Sequence, residues 1–240
     1  MKTFGLSGGM TYPSITLYYT AINDIACARL GGSHSAPLLL YSFDFDVLSR
    51  LIPANNRQAA AVLLIDAAKK LESIGAEGLT ICANVMHKVS NDIAAVINVP
   101  VLHAMDAIGS KLKVTGIRQV ALLATKVLIE SDICLKPLER FELDVLVPEL
   151  EETEWVNYII FEELGKGIVS QESRRKLLKI LDGLRRKGVE ACVLACTDLA
   201  PLLANDEKDN KEMVIQGVRV FDSTVVHAKF IAEWALAKNV

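Results

Sequence analysis

No apolar run in this 240-residue chain reaches the ~18 residues that a membrane-crossing helix needs. The amino-terminal Met1-Lys-Thr-Phe-Gly enters a strand pattern at once, with no apolar leader before a cleavage site. The cysteines contain no Cys-x-x-Cys, so both the short zinc-site spacing and the redox dithiol motif are missing, and no histidine pair stands near them. They number five, odd and without framework spacing, which points to free thiols in a reducing compartment. Gly5-Leu-Ser-Gly8-Gly9 is neither a P-loop nor the dinucleotide fingerprint. No basic stripe interleaved with aromatics argues for nucleic acid, and the net charge is only −3 with both signs mixed. These absences make a soluble cytoplasmic protein the default expectation, without nucleic acid, membrane, metal or nucleotide. With 51% hydrophobic residues, the chain has ample material for a packed core.

What is present is an alternation of β-rich runs and helical periods. Lys2 to Ser7, Ala36 to Phe43, Gly78 to Cys82 and Val99 to His103 read as strands, with helical spacing over Ser14 to Leu30, Gln58 to Ile74 and Val85 to Val96. The pattern then restarts. Arg118 to Ala124, Leu143 to Val147, Ala191 to Cys196 and Val218 to Asp222 match the first four strands in order, and Glu151 to Lys187 reads as two helices. Strands alternating with helices predict parallel sheets with helical cover. The reading is therefore α/β: two similar parallel-sheet lobes, 1–114 and 115–222, with a final helix, 223–240, packing back on the first.

Two stretches organise this repeat: Thr80-Ile-Cys82-Ala-Asn84 and Leu194-Ala-Cys196-Thr-Asp198. Each follows a helix that stops at glycine, Gly75 and Gly188, and each places a cysteine just past an apolar run. In parallel α/β sheets, ligands bind beyond the carboxyl ends of the strands. Cys82 and Cys196 thus become candidate acid–base groups facing each other across one site. Backbone N–H groups at a strand end that leads into a helix favour the thiolate. Cys27, Cys134 and Cys192 read as small buried hydrophobes. Asn84, Thr125 and Thr197 fit helix capping as well as ligand binding. Asp198 fits a capping turn or an orienting partner for Cys196. His34, His87, His103 and His227 share no spacing and read as structural. Arg50 and Lys166 are candidates to bind a carboxylate, against the ordinary reading of a solvated surface charge.

Gly8-Gly9-Met10, Gly31-Gly-Ser-His-Ser-Ala36, Cys82-Ala-Asn-Val-Met-His-Lys88, Phe161-Glu-Glu-Leu164 and Ala195-Cys-Thr-Asp-Leu199 together resemble the aspartate/glutamate racemase family. The chain is closest to the branch with Met-His-Lys after the first cysteine, which includes broad-specificity amino-acid racemases. The resemblance covers essentially the whole chain. It implies two lobes related by pseudo-two-fold symmetry, a site in the cleft between them, and a homodimer. It implies racemisation without pyridoxal phosphate or metal, Cys82 and Cys196 exchanging the α-proton on opposite faces. Asn84, Thr125 and Thr197 would hold the substrate's carboxylate and amino groups, and the turn at Gly8, Gly9 and Met10 would approach it. Basic residues in other members fall near Arg50 and Lys166. The chain departs from the family at Ala83 and Val85, where threonines are common, and at Asp198, where glutamate is common. The resulting expectation is an amino-acid racemase, aspartate or glutamate first. The alternatives are a broad-specificity racemase, a decarboxylase or cis-trans isomerase of the same architecture, and a non-catalytic metabolite-binding protein.

Overall fold

The computed structural model describes residues 1–50, 57–203 and 213–237. The chain divides into two compact units, one comprising Met1–Ala107 and Thr224–Val240, the other Ile108–Ser223. Among the described residues, no helix is long and apolar enough to cross a membrane.

The first unit runs β1 (Phe4–Gly8), α1 (Tyr12–Leu30), β2 (Leu38–Ser42), α2 (Phe45–Ser49), α3 (Arg57–Ser73) and β3 (Gly78–Ile81). A 3-10 turn (Asn84–Val89) and α4 (Ser90–Ala94) follow, and α5 (Ala104–Thr115) carries the chain into the second unit. The sheet has order β2-β1-β3 and is wholly parallel, with Ser7 opposite Tyr41 on one side and Ile81 on the other. β1 and β3 are buried along their whole length, as strands covered on both faces must be. One face is covered by α1 through Ile15, Tyr18 and Ile22, together with Ala228, Ile231 and Ala232 from the last helix. On the other, Leu64 and Ala68 of α3 pack with Leu79, Ile81, Met86 and Ile93.

The expected fourth strand, Val99 to His103, is reduced to a single parallel bridge between Leu79 and Val101. Pro100 has no N–H to extend a ladder, and only its carbonyl is used, accepting from Leu79 N–H at 3.0 Å. Three residues on, His103 turns the chain into α5, its Nδ1 accepting the Met105 N–H at 3.1 Å. The helix expected over Val85 to Val96 is likewise broken into the 3-10 turn and the short α4.

The second unit runs β4 (Gln119–Leu123), α6 (Lys126–Ile129), α7 (Leu135–Glu139), β5 (Asp144–Leu146), α8 (Leu150–Glu162), α9 (Gln171–Arg186), β6 (Ala191–Leu194), α10 (Leu199–Leu203), β7 (Met213–Ile215) and β8 (Val218–Asp222). The chain closes with α11 (Ser223–Leu236); the last residues of the expected 223–240 helix lie outside the described ones. The sheet order is β5-β4-β6-β8-β7, parallel except for β7, an antiparallel edge strand absent from the sequence reading. Setting β7 aside, this order repeats that of the first unit, with β8 in the place of the Val101 bridge. α8 and α9 bury Val156, Ile159, Leu177, Leu181 and Leu184 against Ala121, Leu123, Cys192 and Leu194. α8 opens with a reciprocal capping box between Glu149 and Glu152.

Candidate functional site

Cys82 directly follows β3, and its N–H donates to the Ser7 carbonyl at 2.8 Å, continuing the sheet one residue past the strand. It is 1% exposed and packs in the core shared by α1 and α11. The next three residues, Ala83, Asn84 and Val85, are half-buried and lead into the 3-10 turn. Ser7, at the carboxyl end of β1, is 1% exposed, and its hydroxyl has no partner among the described residues. A buried hydroxyl left unpaired is costly, and this one belongs to the residue whose carbonyl holds Cys82.

The glycine turn has its own packing reason. A Cβ on Gly8 would lie 2.8 Å from Ile15 Cβ, and one on Gly9, at φ +90°, would lie 2.6 Å from Phe43 N. The turn thus lets α1 and the end of β2 close on β1. Met10 is half-buried beside the Leu48, Leu64 and Met86 cluster.

Against Thr80, near the end of β3, lies a cluster that the sequence did not announce, made by His87, His103 and His227. The rings of His87 and His103 are 4.2 Å apart and those of His87 and His227 5.7 Å apart, centroid to centroid. His227 Nε2 lies 3.2 Å from the Leu102 carbonyl, which can only accept, so that nitrogen carries the proton and Nδ1 accepts from the Tyr18 hydroxyl at 2.9 Å. Thr80 donates its hydroxyl to the same carbonyl at 2.7 Å. His87 is 4% exposed, and neither ring nitrogen makes a hydrogen bond of normal geometry with the described residues, although the Ile81 backbone lies close enough to favour its charged form slightly. Burial, then the neighbouring histidines, holds His87 well below the ordinary histidine range, and burial pulls His227 down to about 3. Both are neutral at physiological pH. The only hint in the sequence was position: His87 soon after Cys82, and His103 at the expected end of a strand.

In the second unit Cys196 follows β6, and Ala195 N–H bonds the Leu123 carbonyl at 2.8 Å. Cys196 is half-exposed, and its Sγ donates to Asp198 Oδ2 at 3.7 Å. Asp222 closes β8 opposite Leu194. Its charge, with that of Asp198, disfavours the Cys196 thiolate. Thr125 starts α6 but makes no side-chain cap.

The thiolate bias expected from strand-end N–H groups does not hold. Burial raises Cys82, and burial, then Asp198, pushes Cys196 up to about 12, enough protein surrounding its sulfur despite the partial exposure of the residue. The Cys82 amide is already spent on the Ser7 carbonyl and cannot stabilise an anion. Burial also raises the Asp198 carboxyl, against the opposing effect of the Cys196 thiol. Cys134 and Cys192 are buried, as read; Cys27 is exposed, because it lies on the outer face of α1. Arg50 is paired with Asp46, and Lys166 Nζ lies 2.6 Å from Glu162 Oε2, both on the surface. For either to bind a substrate carboxylate, it must leave one it already holds.

Two parallel α/β units, each ending the same strand of its sheet in a cysteine, define a class of two-thiol α/β proteins. The family model for Asp/Glu/hydantoin racemases matches residues 8–231, and the chain belongs to that family. It is 38% identical to an Asp/Glu racemase candidate from Yersinia pestis, over 99% of this chain and 100% of that one, with a TM-score of 0.90. It is 31% identical to an aspartate racemase homologue from Pyrococcus horikoshii, over 99% and 100%, with a TM-score of 0.83. The aspartate racemase of Picrophilus torridus shares the fold at 19% identity and a TM-score of 0.70, over 98% and 94%.

Proposed function

We propose that this protein interconverts the enantiomers of a free amino acid without a cofactor, with Cys82 and Cys196 as the two acid–base groups. The observation that carries the reading is positional. β3 and β6 hold the same place in two sheets of the same order, and each delivers a cysteine at its carboxyl end. The names of the relatives point to aspartate and glutamate as the first substrates to test.

In one direction a thiolate removes the α-proton, and the thiol of the other cysteine protonates the opposite face of the carbanion. The two sulfurs then hold exchanged protonation states, and the reverse turnover or solvent exchange restores them. Both thiols rest protonated, so the working thiolate forms when a cation approaches, and the substrate's α-ammonium is that cation. At Cys196 the Sγ–H points at the Asp198 carboxylate, whose charge holds the proton on sulfur until the substrate's ammonium offsets it. Gly8, Gly9, Met10, Asn84, Thr125 and Thr197 remain the groups assigned to substrate, and Ser7 joins them.

A second reading concerns the substrate only. Arg50 and Lys166 are each already neutralised by a carboxylate four residues away, and Ala83 and Val85 make the approach to Cys82 apolar. Both features favour neutral amino acids and the broad-specificity branch.

Chiral analysis of purified, reduced protein with single enantiomers of aspartate, glutamate and neutral amino acids in D2O tests both readings. The expected result is antipode carrying deuterium at the α-carbon while remaining substrate is unlabelled at early times. Antipode that keeps its α-hydrogen, or no turnover across the panel, rejects the two-thiol reading. The order of kcat/KM across the panel decides between acidic and neutral substrates.

A further inference from the structure

The second unit carries a charge pattern that racemisation does not use. α9 holds six basic residues and two acidic ones, a surplus of four, in a chain whose net charge is −3. Its apolar face, Leu177, Ile180, Leu181 and Leu184, is buried in the core. The opposite face lines a groove of about 500 Å³ with Arg175, Lys179, Asp182, Gly183 and Arg186, and Gln216 faces them from the β7–β8 turn. These α9 positions recur every three to four residues, so they form one continuous stripe. The Gln216–Gly217 turn, with φ of 51° and 83°, is a tight hairpin that walls the far side.

The stripe is electrostatically incomplete. Arg186 Nη2 lies 2.6 Å from Asp182 Oδ2, and Arg185 takes the other oxygen of the same carboxylate at 2.9 Å. Among the described residues no carboxylate pairs with Arg175 or Lys179; Arg175 only donates Nε–H to the Gln171 carbonyl at 3.3 Å.

Gly183 is an independent pointer. Glycine inside a helix costs about 1 kcal/mol relative to alanine, so it normally has a packing reason. Here no atom of the described residues lies within 4 Å of where its Cβ would stand, and its backbone is ordinary helix. What the missing side chain keeps clear is the groove itself.

We infer that this groove binds a small organic molecule carrying at least two phosphate groups. Arginine forks match phosphate oxygens in pairs. In an open, water-washed groove a single charge gains little, so the ligand must present several. Arg175 and Lys179, one turn or about 6 Å apart on the helix, suit two adjacent phosphates of a diphosphate. The described residues lining the groove include no aromatic on which bases could stack, which disfavours a nucleic-acid strand.

Calorimetry of the full chain at about 0.05 M ionic strength, where screening is moderate, tests this with inorganic pyrophosphate, ADP and a single-stranded RNA as probes. Pyrophosphate and ADP are expected to bind one site in mutual competition. Gly183→Glu, which puts a carboxylate into the groove, and the double variant Arg175→Gln/Lys179→Gln should each weaken them by about tenfold or more. Gly183→Ala should melt no lower than the wild type and keep most of the binding. If Gly183→Glu does not fold, the double variant decides. No heat with either probe, binding indifferent to the variants, or binding of RNA that pyrophosphate does not displace would overturn the assignment.

Discussion

The two units put the same thiol at the same place and surround it differently. Cys82 is sealed, 1% exposed, with apolar Ala83 and Val85 after it and a buried histidine cluster against Thr80 of the strand that leads to it. Cys196 is partly open and flanked by Asp198 and Asp222. Cys82 holds its proton because a bare thiolate would lack solvent; at Cys196 two carboxylates add to that effect. Duplicating a topology therefore duplicates a position, not a proton affinity. On the mechanism proposed above, unequal thiols give unequal forward and reverse steps.

The sharpest break in this comparison is removal of either sulfur. Cys82→Ala and Cys196→Ala should each lower racemisation by about 10²–10⁴-fold, the span of a lost general acid or base. Cys27→Ala, Cys134→Ala and Cys192→Ala should stay near wild-type rate in the same chiral assay. Near-normal turnover by either of the first two variants removes the two-thiol mechanism.

Next in size is acid sensitivity between about pH 6.5 and 5, above the carboxylate range, which should fall on the first unit because residues 108–223 contain no histidine. His87 and His227 are held neutral in the fold, with His227 near 3, whereas in the unfolded chain they take protons below about 6.5. The unfolded state then binds more protons, so stability is full above pH ~6.5 and falls as pH drops from there toward 3, by up to ~1.4 kcal/mol per pH unit for His227, with His87 acting in the same direction. Among the described residues, the groups shown acting on them, Tyr18, Thr80, His103 and the Ile81 and Leu102 backbone, include no carboxylate to offset the charge. Hydrogen exchange at pH 5 should open β3 and α11 before β4 and β6, and His227→Gln should flatten the pH slope. Equal loss of protection in both units contradicts the assignment.

Smaller again is the effect of the acid beside Cys196. Asp198→Asn removes a nearby negative charge, lowers the thiol pKa and should speed iodoacetamide labelling of Cys196 at pH 8 by roughly three- to tenfold, since one pKa unit is a tenfold change in thiolate. Labelling of Cys82 should not change. A slower Cys196 would mean that the Asp198 contact aids thiolate formation instead.

The smallest effects belong to the surface cations. Arg50→Ala and Lys166→Ala should alter KM for neutral amino acids by less than about twofold, as exposed ion pairs contribute little. A large rise in KM for aspartate alone would show that the cation exchanges its own carboxylate for the substrate's.

The chain alone determined the repeat. The glycine stops at Gly75 and Gly188, the apolar runs leading to Cys82 and Cys196, and the order of strands are local signals of period and punctuation, and they survive in the fold. Three elements differ from the expectation for local reasons that the pattern hides, one of them the helix over Val85 to Val96, which breaks into a 3-10 turn and α4. Val99 to His103 looks like a strand, but Pro100 removes a donor and His103 is needed to start α5. The three-residue β7 is too short to show a period, and it pairs with β8 only through the turn at Gln216 and Gly217. Proton affinity was decided by tertiary structure alone. It depends on solvent access and on charges brought from distant parts of the chain: Asp222 from β8 toward Cys196, and His227 from α11 beside His87 and His103. A sequence states which groups can ionise. Only the packed chain sets what each one costs, because burial and through-space charge act between residues that sequence distance keeps apart.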